Sequence, residues 1–199
     1  MDRVLPVLEM LRQYDVIVSL DTSNPALMTA GAAGGAGLIN DVRALEREGA
    51  LAAAAASRLP VCLMHMQGQP ATMQQAPEYQ HVVRGVMHYL AGRVEACEQS
   101  GIGRDKILLD PGFGFGKTLQ QNLDLFHGLP ELVASGYPVL VGMSRKAMIG
   151  QWTGREMPGR VPGSITAAVL AVLQGASIVR VHDVAETQDA LNIVKSLRL

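Results

Sequence analysis

Aromatic residues are scarce in this chain of 199 residues: one tryptophan, four tyrosines and three phenylalanines, 4% in all. So few rings exclude a stacking platform for bases and argue against an aromatic-rich β-sandwich. Cysteine is nearly absent too. Cys62 and Cys97 lie far apart in apolar contexts and form no C-x-x-C motif, so neither a disulfide framework nor a zinc site is indicated, and a reducing, cytoplasmic setting is expected. Neither sign of charge prevails: 17 basic residues face 18 acidic ones, the net charge is -1 and the isoelectric point is near 6.5. No global field is available to hold nucleic acid or an anionic membrane. No apolar run approaches the ~18 residues of a membrane span, and Met1-Asp2-Arg3 opens an amphipathic stretch rather than a signal peptide. Charged residues reach only 18% against 48% hydrophobic, which excludes a disordered tail or a solvated helical array. Alanine, glycine and valine are plentiful instead, and they suit close packing of helices on a sheet.

Short apolar runs alternate with longer helical patterns, the rhythm of a parallel sheet built from βα units. Six units are legible. Their strands are expected at Val16 to Asp21, Gly37 to Val42, Pro60 to Met66, Lys106 to Pro111, Tyr137 to Met143 and Ser177 to Asp183. Helices are expected at Pro25 to Ala33, Glu48 to Arg58, Tyr79 to Ser100, Leu119 to Ser135, Ser164 to Gly175 and Ala185 to Leu197, preceded by a helix at Arg3 to Gln13. Gly37, Pro60, Gly101, Gly136 and Gly175 stand just before strands, where a left-handed cap ends a helix. No linker or charge block divides the chain, so residues 1–199 read as one domain.

Each apolar strand ends in polar residues: Asp21, Asn40-Asp41, His65, Asp110, Ser144-Arg145-Lys146, and Arg180 with His182-Asp183. In a β/α barrel the C-terminal strand ends carry the active site. A barrel needs eight strands and typically about 250 residues. Six strands after an initial helix therefore predict an incomplete barrel, with strands one and two missing from the front.

Asn24 followed by Pro25 is the expected N-cap of a helix, with Ser23 as a competitor, which leaves Asp21 for another task. Of Asn40 and Asp41, one is expected to hold a loop amide and the other to face a site; the pattern does not separate them. The run Asp110-Pro111-Gly112-Phe113-Gly114-Phe115-Gly116-Lys117-Thr118 ends like a phosphate loop. It fails that motif because Pro111 stands where glycine is required, and it fails G-x-G-x-x-G because Lys117 takes the last position. What remains is a carboxylate at a strand end and a glycine loop that lets backbone and a phenyl ring approach a ligand. Gly114 and Gly116 are expected to shape the turn. Ser144 opens a loop of roughly twenty residues reaching Ser164. Arg180 and His182 share a face at i and i+2, and an anion is their natural ligand. His65 reads as core with Met64 a soft apolar wall, His81, His88 and His127 as structural residues on helices, and Cys62 as a small hydrophobe. Carboxylates, an amide, a lysine, an arginine and a histidine at one set of strand ends suit a flat heterocycle with a donor edge, bound beside an anionic group.

These stretches together resemble the dihydropteroate synthase family: Ser19 to Ser23, Ile39 to Val42, Pro60 to Gln67 (PVCLMHMQ), Leu108 to Lys117 (LLDPGFGFGK), Gly142 to Lys146 (GMSRK) and Arg180 to Asp183 (RVHD). The resemblance implies a β/α barrel of the pterin-binding type. Its reaction would join 6-hydroxymethyl-7,8-dihydropterin diphosphate to p-aminobenzoate, giving 7,8-dihydropteroate and pyrophosphate on the path to folate, the step that sulfonamides target. Carried over residue by residue, Asp21, Asn40, Asp110 and Lys146 would hold the polar edge of the pterin, and Met64, Phe115 and Gly142 would line its pocket. Arg180 would stack on the ring and, with His182, hold the diphosphate. Ser144 and Lys146 would lie near the p-aminobenzoate. The catalytic set implied is Asp21, Asp110, Lys146, Arg180 and His182, with magnesium as cofactor and a homo-oligomer, typically a dimer, as the assembly.

The chain departs from the family in two places. The N-x-T-P-D-S-F-S-D-G-G and G-G-E-S-T-R-P-G loops, which supply the magnesium-binding asparagine and most of the p-aminobenzoate clamp, do not occur in it. It therefore reads as the C-terminal three-quarters of the enzyme, and the expectation is neither appreciable turnover nor a stable monomer from it alone. Two alternatives stand beside this reading. One is a pterin-dependent methyltransferase barrel, against which Lys146 and the glycine loop argue; the other is a non-catalytic pterin-binding remnant.

Overall fold

The computed structural model describes residues 1–68 and 79–197. The βα rhythm is present in it. The elements run α1 (Leu5–Leu11), β1 (Ser19–Asp21), α2 (Pro25–Gly34), β2 (Leu38–Asp41), α3 (Ala50–Ser57), β3 (Val61–Met64), α4 (Val82–Gln99) and β4 (Ile107–Asp110). They continue with α5 (Leu119–His127), α6 (Leu129–Val133), β5 (Leu140–Val141), α7 (Ala147–Thr153), α8 (Val161–Leu173), β6 (Ile178–Val179) and α9 (Val184–Leu197). No described helix is long and apolar enough to cross a membrane. The chain divides into two compact units, Met1–His65 with His88–Leu109, and Met66–Met87 with Asp110–Leu199.

In the first unit the sheet runs β1-β2-β3-β4. β1 pairs with β2 and β2 with β3 in parallel, Asp21 opposite Asn40 and Asn40 opposite Cys62. Val61 to Met64 are wholly buried, the continuous apolar run of a parallel strand covered on both faces. Helices sit close on this sheet because their facing residues are small. A Cβ on Gly31 of α2 would come within 2.3 Å of the Leu20 side chain, which would have to shift to admit it. Asn24 caps α2 by accepting from the Ala26 amide at 3.0 Å, with Pro25 in the first turn, as the sequence predicted. Ser23 does not compete; its hydroxyl donates to Asp41.

In the second unit β5 and β6 pair in parallel, Leu140 opposite Ile178 and Val141 opposite Val179. The expected seven-residue strands are shorter because Pro138 has no amide for a ladder, whose first bonds go to the Val139 carbonyl. The helix expected from Leu119 to Ser135 breaks at Gly128 into α5 and α6. Pro130 lacks an amide and its ring would crowd the carbonyl four residues earlier. The long loop expected from Ser144 to Ser164 is a second correction, since it contains α7, and α8 begins at Val161 with Pro162 in its first turn. His81 lies just ahead of α4 rather than on it, while His88 and His127 are helical as expected.

Candidate active site

Three expected residues lie in the first unit. Asp21 and Asn40 end neighbouring strands in register, and Met64 ends β3 fully buried. The choice left open at Asn40-Asp41 is resolved by hydrogen bonds. Asp41 accepts from the amides of Arg43 (2.9 Å) and Leu45 (3.0 Å) and from Ser23, so it holds the following turn, in which Ala44 and Leu45 both take positive φ. Asn40 is 5% exposed, and its Oδ1 is buried with no hydrogen-bond partner among the described residues. A buried carbonyl in that state is rare and marks a group that a ligand can satisfy. His65 is buried and packs edge-on against Tyr89 at 5.0 Å between ring centroids, consistent with a core residue.

The other seven lie in the second unit. Asp110 is 3% exposed and accepts from the Gly112 amide at 2.7 Å. The loop that follows bends at Gly112, Gly114 and Gly116, each with φ between +60° and +77°, which side chains rarely tolerate. This turn carries Phe115 to Lys146, whose ammonium stands 4.4 Å from the ring centroid and also donates to the Phe113 carbonyl. Gly114 is needed for that approach, because a Cβ there would stand 3.0 Å from the lysine stem. Gly142 does the same for Arg180: a Cβ on it would lie 3.3 Å from Nε. Ser144 Oγ lies 2.9 Å from His182 Nδ1 and accepts from the His182 amide at 3.2 Å. Gly142, Ser144, Lys146, Arg180 and His182 together line a cavity of about 270 Å³, so the structure joins residues that are up to forty positions apart in sequence.

Burial sets the charges here. It pushes the Asp110 carboxyl up, against the pull of Lys146, the Gly112 amide, Arg180 and Lys117, which favour the anion. It pulls Lys146 down to about 8, opposed by Asp110 and helped by Arg180. A buried carboxylate whose anion is favoured by two nearby cations can grip an amidine-like edge while the cations hold an anion beside it.

Three features went unread in the sequence. Lys117 is not a surface residue: it is 3% exposed, and its ammonium donates to the carbonyls of Gly112 (2.9 Å) and Phe115 (3.0 Å). Burial pulls it down to about 7. Asn122 of α5 accepts from the Gly114 amide at 2.8 Å and donates to the Lys117 and Thr118 carbonyls. Arg145 is not merely half of a solvated Arg-Lys pair, since it makes a two-pronged ion pair with Asp183. Only the adjacency of a lysine to a glycine run hinted at the first of these. Among the described residues no group of three or more His, Cys, Asp or Glu could hold a metal ion.

A buried carboxylate and a cationic cavity in a parallel α/β chain define a binder of flat, polar heterocycles that carry an anionic arm. A family model described as "Pterin binding enzyme" matches residues 1–182, and the chain belongs to that family. Dihydropteroate synthase of Escherichia coli K12 is 50% identical over 197 residues, covering 98% of this chain and 70% of that protein. The Yersinia pestis dihydropteroate synthase solved with a sulfonamide drug superposes with a TM-score of 0.96 at 50% identity, covering 99% of this chain and 72% of that one. The Xanthomonas albilineans enzyme in complex with 7,8-dihydropteroate gives 0.93 at 48% identity, covering 99% and 73%. Within the pterin-binding enzymes, the chain is therefore a member of the dihydropteroate synthase family.

Proposed function

We propose that this chain serves the dihydropteroate synthase reaction, condensing 6-hydroxymethyl-7,8-dihydropterin diphosphate with p-aminobenzoate. The observation that carries the reading is the cavity lined by Lys146, Arg180 and His182, with the buried Asp110 carboxylate, whose anion both Lys146 and Arg180 favour. Asp110 accepts the donor edge of the pterin, and Lys146 holds an acceptor of the same ring while Phe115 and Gly142 line the pocket. The roles of Asp21, Asn40 and Met64 at the pterin rest on the family motifs and, for Asn40, on its partnerless buried oxygen.

The carbon–oxygen bond to diphosphate ionises, leaving a cation at the exocyclic methylene and releasing pyrophosphate. Arg180 and His182 receive the negative charge of the leaving group, and Ser144 orients the His182 ring. The Asp110 carboxylate favours the cation that forms, the task the family motifs also imply for Asp21. The neutral aniline nitrogen of p-aminobenzoate, held near Ser144 and Lys146, then attacks and loses a proton.

We further propose that residues 1–199 act as one domain whose six βα units belong to a pterin-binding β/α barrel. Likeness to the solved relatives across 99% of the chain supports this. A cytoplasmic setting and a homo-oligomer complete the reading. The latter is supported by α8, which lacks charged residues and leaves Leu170 and Leu173 exposed, Leu170 lining an apolar groove with Trp152.

Calorimetric titration with pterin diphosphate, then with p-aminobenzoate, together with pyrophosphate release, tests the function. Binding of both is expected, and release of pyrophosphate at a full rate would overturn the expectation of little turnover from this chain alone. Binding of the pterin alone would leave a non-catalytic binder, and binding of neither would overturn the proposal.

A further inference from the structure

The loop from Gly112 to Gly116 makes two sets of contacts. One supplies the site: the Gly112 amide meets Asp110, the Phe113 carbonyl meets Lys146, and the Phe115 ring lies against the same ammonium. The other is made by two side chains, which line a cavity together with Phe115 and Lys146. Lys117 gathers the carbonyls of Gly112 and Phe115 at 2.9 and 3.0 Å, while Asn122 takes the Gly114 amide. Three left-handed glycines make this backbone intrinsically free to adopt other turns. The carbonyls would otherwise repel one another at the centre of the turn. An ammonium there does what a bound cation does in other loops: it draws several carbonyls to one point. The lysine is buried and its charge also favours the ionised form of Asp110.

We propose that Lys117 is a positioning residue for the pterin site, a built-in cation that fixes the glycine loop so that Asp110, Phe115 and Lys146 take their binding arrangement. The proposal rests on the pterin reading above. Lys117 does not itself hold the ligand; it sets the backbone from which the gripping groups are hung.

The test is Lys117→Met, which keeps the shape and removes the charge, read at pH 6, where Lys117 holds its proton, by calorimetry with the pterin diphosphate and by hydrogen exchange at the loop amides. Pterin affinity is expected to fall about 10- to 100-fold, the loss that accompanies hydrogen bonds from a charged group. Exchange at the Gly114 and Phe115 amides is expected to quicken at least tenfold while that of the sheet is unchanged. Lys117→Gln, which keeps a donor without the charge, carries the same expectation should the methionine variant not fold. In Lys117→Ala, n-butylammonium should restore affinity and n-butanol should not, since a filler of space alone would be replaced by either. Unchanged affinity and exchange in the methionine or glutamine variant, or equal rescue by butanol, would overturn the proposal. If the unaltered protein bound no pterin, the reading of the pocket would fail, whereas the exchange rates would still report whether Lys117 fixes the loop.

Discussion

Burial and charge act together on single residues of this site. Asp110→Asn and Lys146→Ala should each weaken pterin binding by about 1.5–3 kcal/mol, because each removes a charge-assisted contact. Arg180→Ala should reduce affinity for the pterin diphosphate far more than for the pterin alcohol, a difference calorimetry reads directly. Equal losses would show that Arg180 only packs on the ring. Affinity should also fall as pH rises through about 8, where Lys146 loses its proton. The same burial has an opposite effect on stability. Lys117 and Lys146 hold fewer protons folded than unfolded from about pH 7 or 8 up to the ordinary lysine range, so the unfolded state binds more protons there and folding gains stability with rising pH. Each group adds a slope of at most about 1.4 kcal/mol per pH unit. Urea melts between pH 7 and 10 should show the rise from these two groups, and Lys117→Met should show a smaller one.

At the scale of elements, the fold rests on caps and on close approaches that only small residues allow. Thr118 caps α5 in a full capping box with Gln121, each side chain serving the other's backbone amide. Thr118→Ala should lower stability by about 1 kcal/mol in chemical denaturation. Arg58 ends α3 in the left-handed region, φ +58°, where glycine is the unstrained choice. Arg58→Gly should therefore leave the midpoint unchanged or raise it, by up to about 1 kcal/mol. The order and kind of these elements were legible from apolar runs and from glycine and proline placement. Their ends were not. Pairing stops where a neighbouring strand stops offering carbonyls, and that depends on partners remote in sequence. The short α7 was missed because seven residues carry too little periodicity to distinguish a helix from a loop.

At the scale of the molecule, both cysteines are sealed in the first unit, and burial pushes the Cys97 thiol up to about 11. Neither Cys62 nor Cys97 should react with a thiol reagent at neutral pH until the protein opens. A prompt reaction would show that the first unit is looser than its packing implies.

Membership of the family and the parallel α/β class were legible in the sequence alone, and Asp110, Lys146, Arg180 and His182 stood out there as candidates. Polar residues at the ends of apolar strands, and ordered motifs spread along the chain, are one-dimensional signals that survive without coordinates. The tertiary structure decided which polar groups work inward and which outward. Asp41 and Lys117 hold turns while Asn40 keeps an unpaired oxygen, and Arg145 spends its charge on Asp183 while Lys146 turns to Phe113 and Phe115. Residue type gives a side chain its donors and acceptors. Which of them remain for a ligand depends on distances to atoms brought close only by folding.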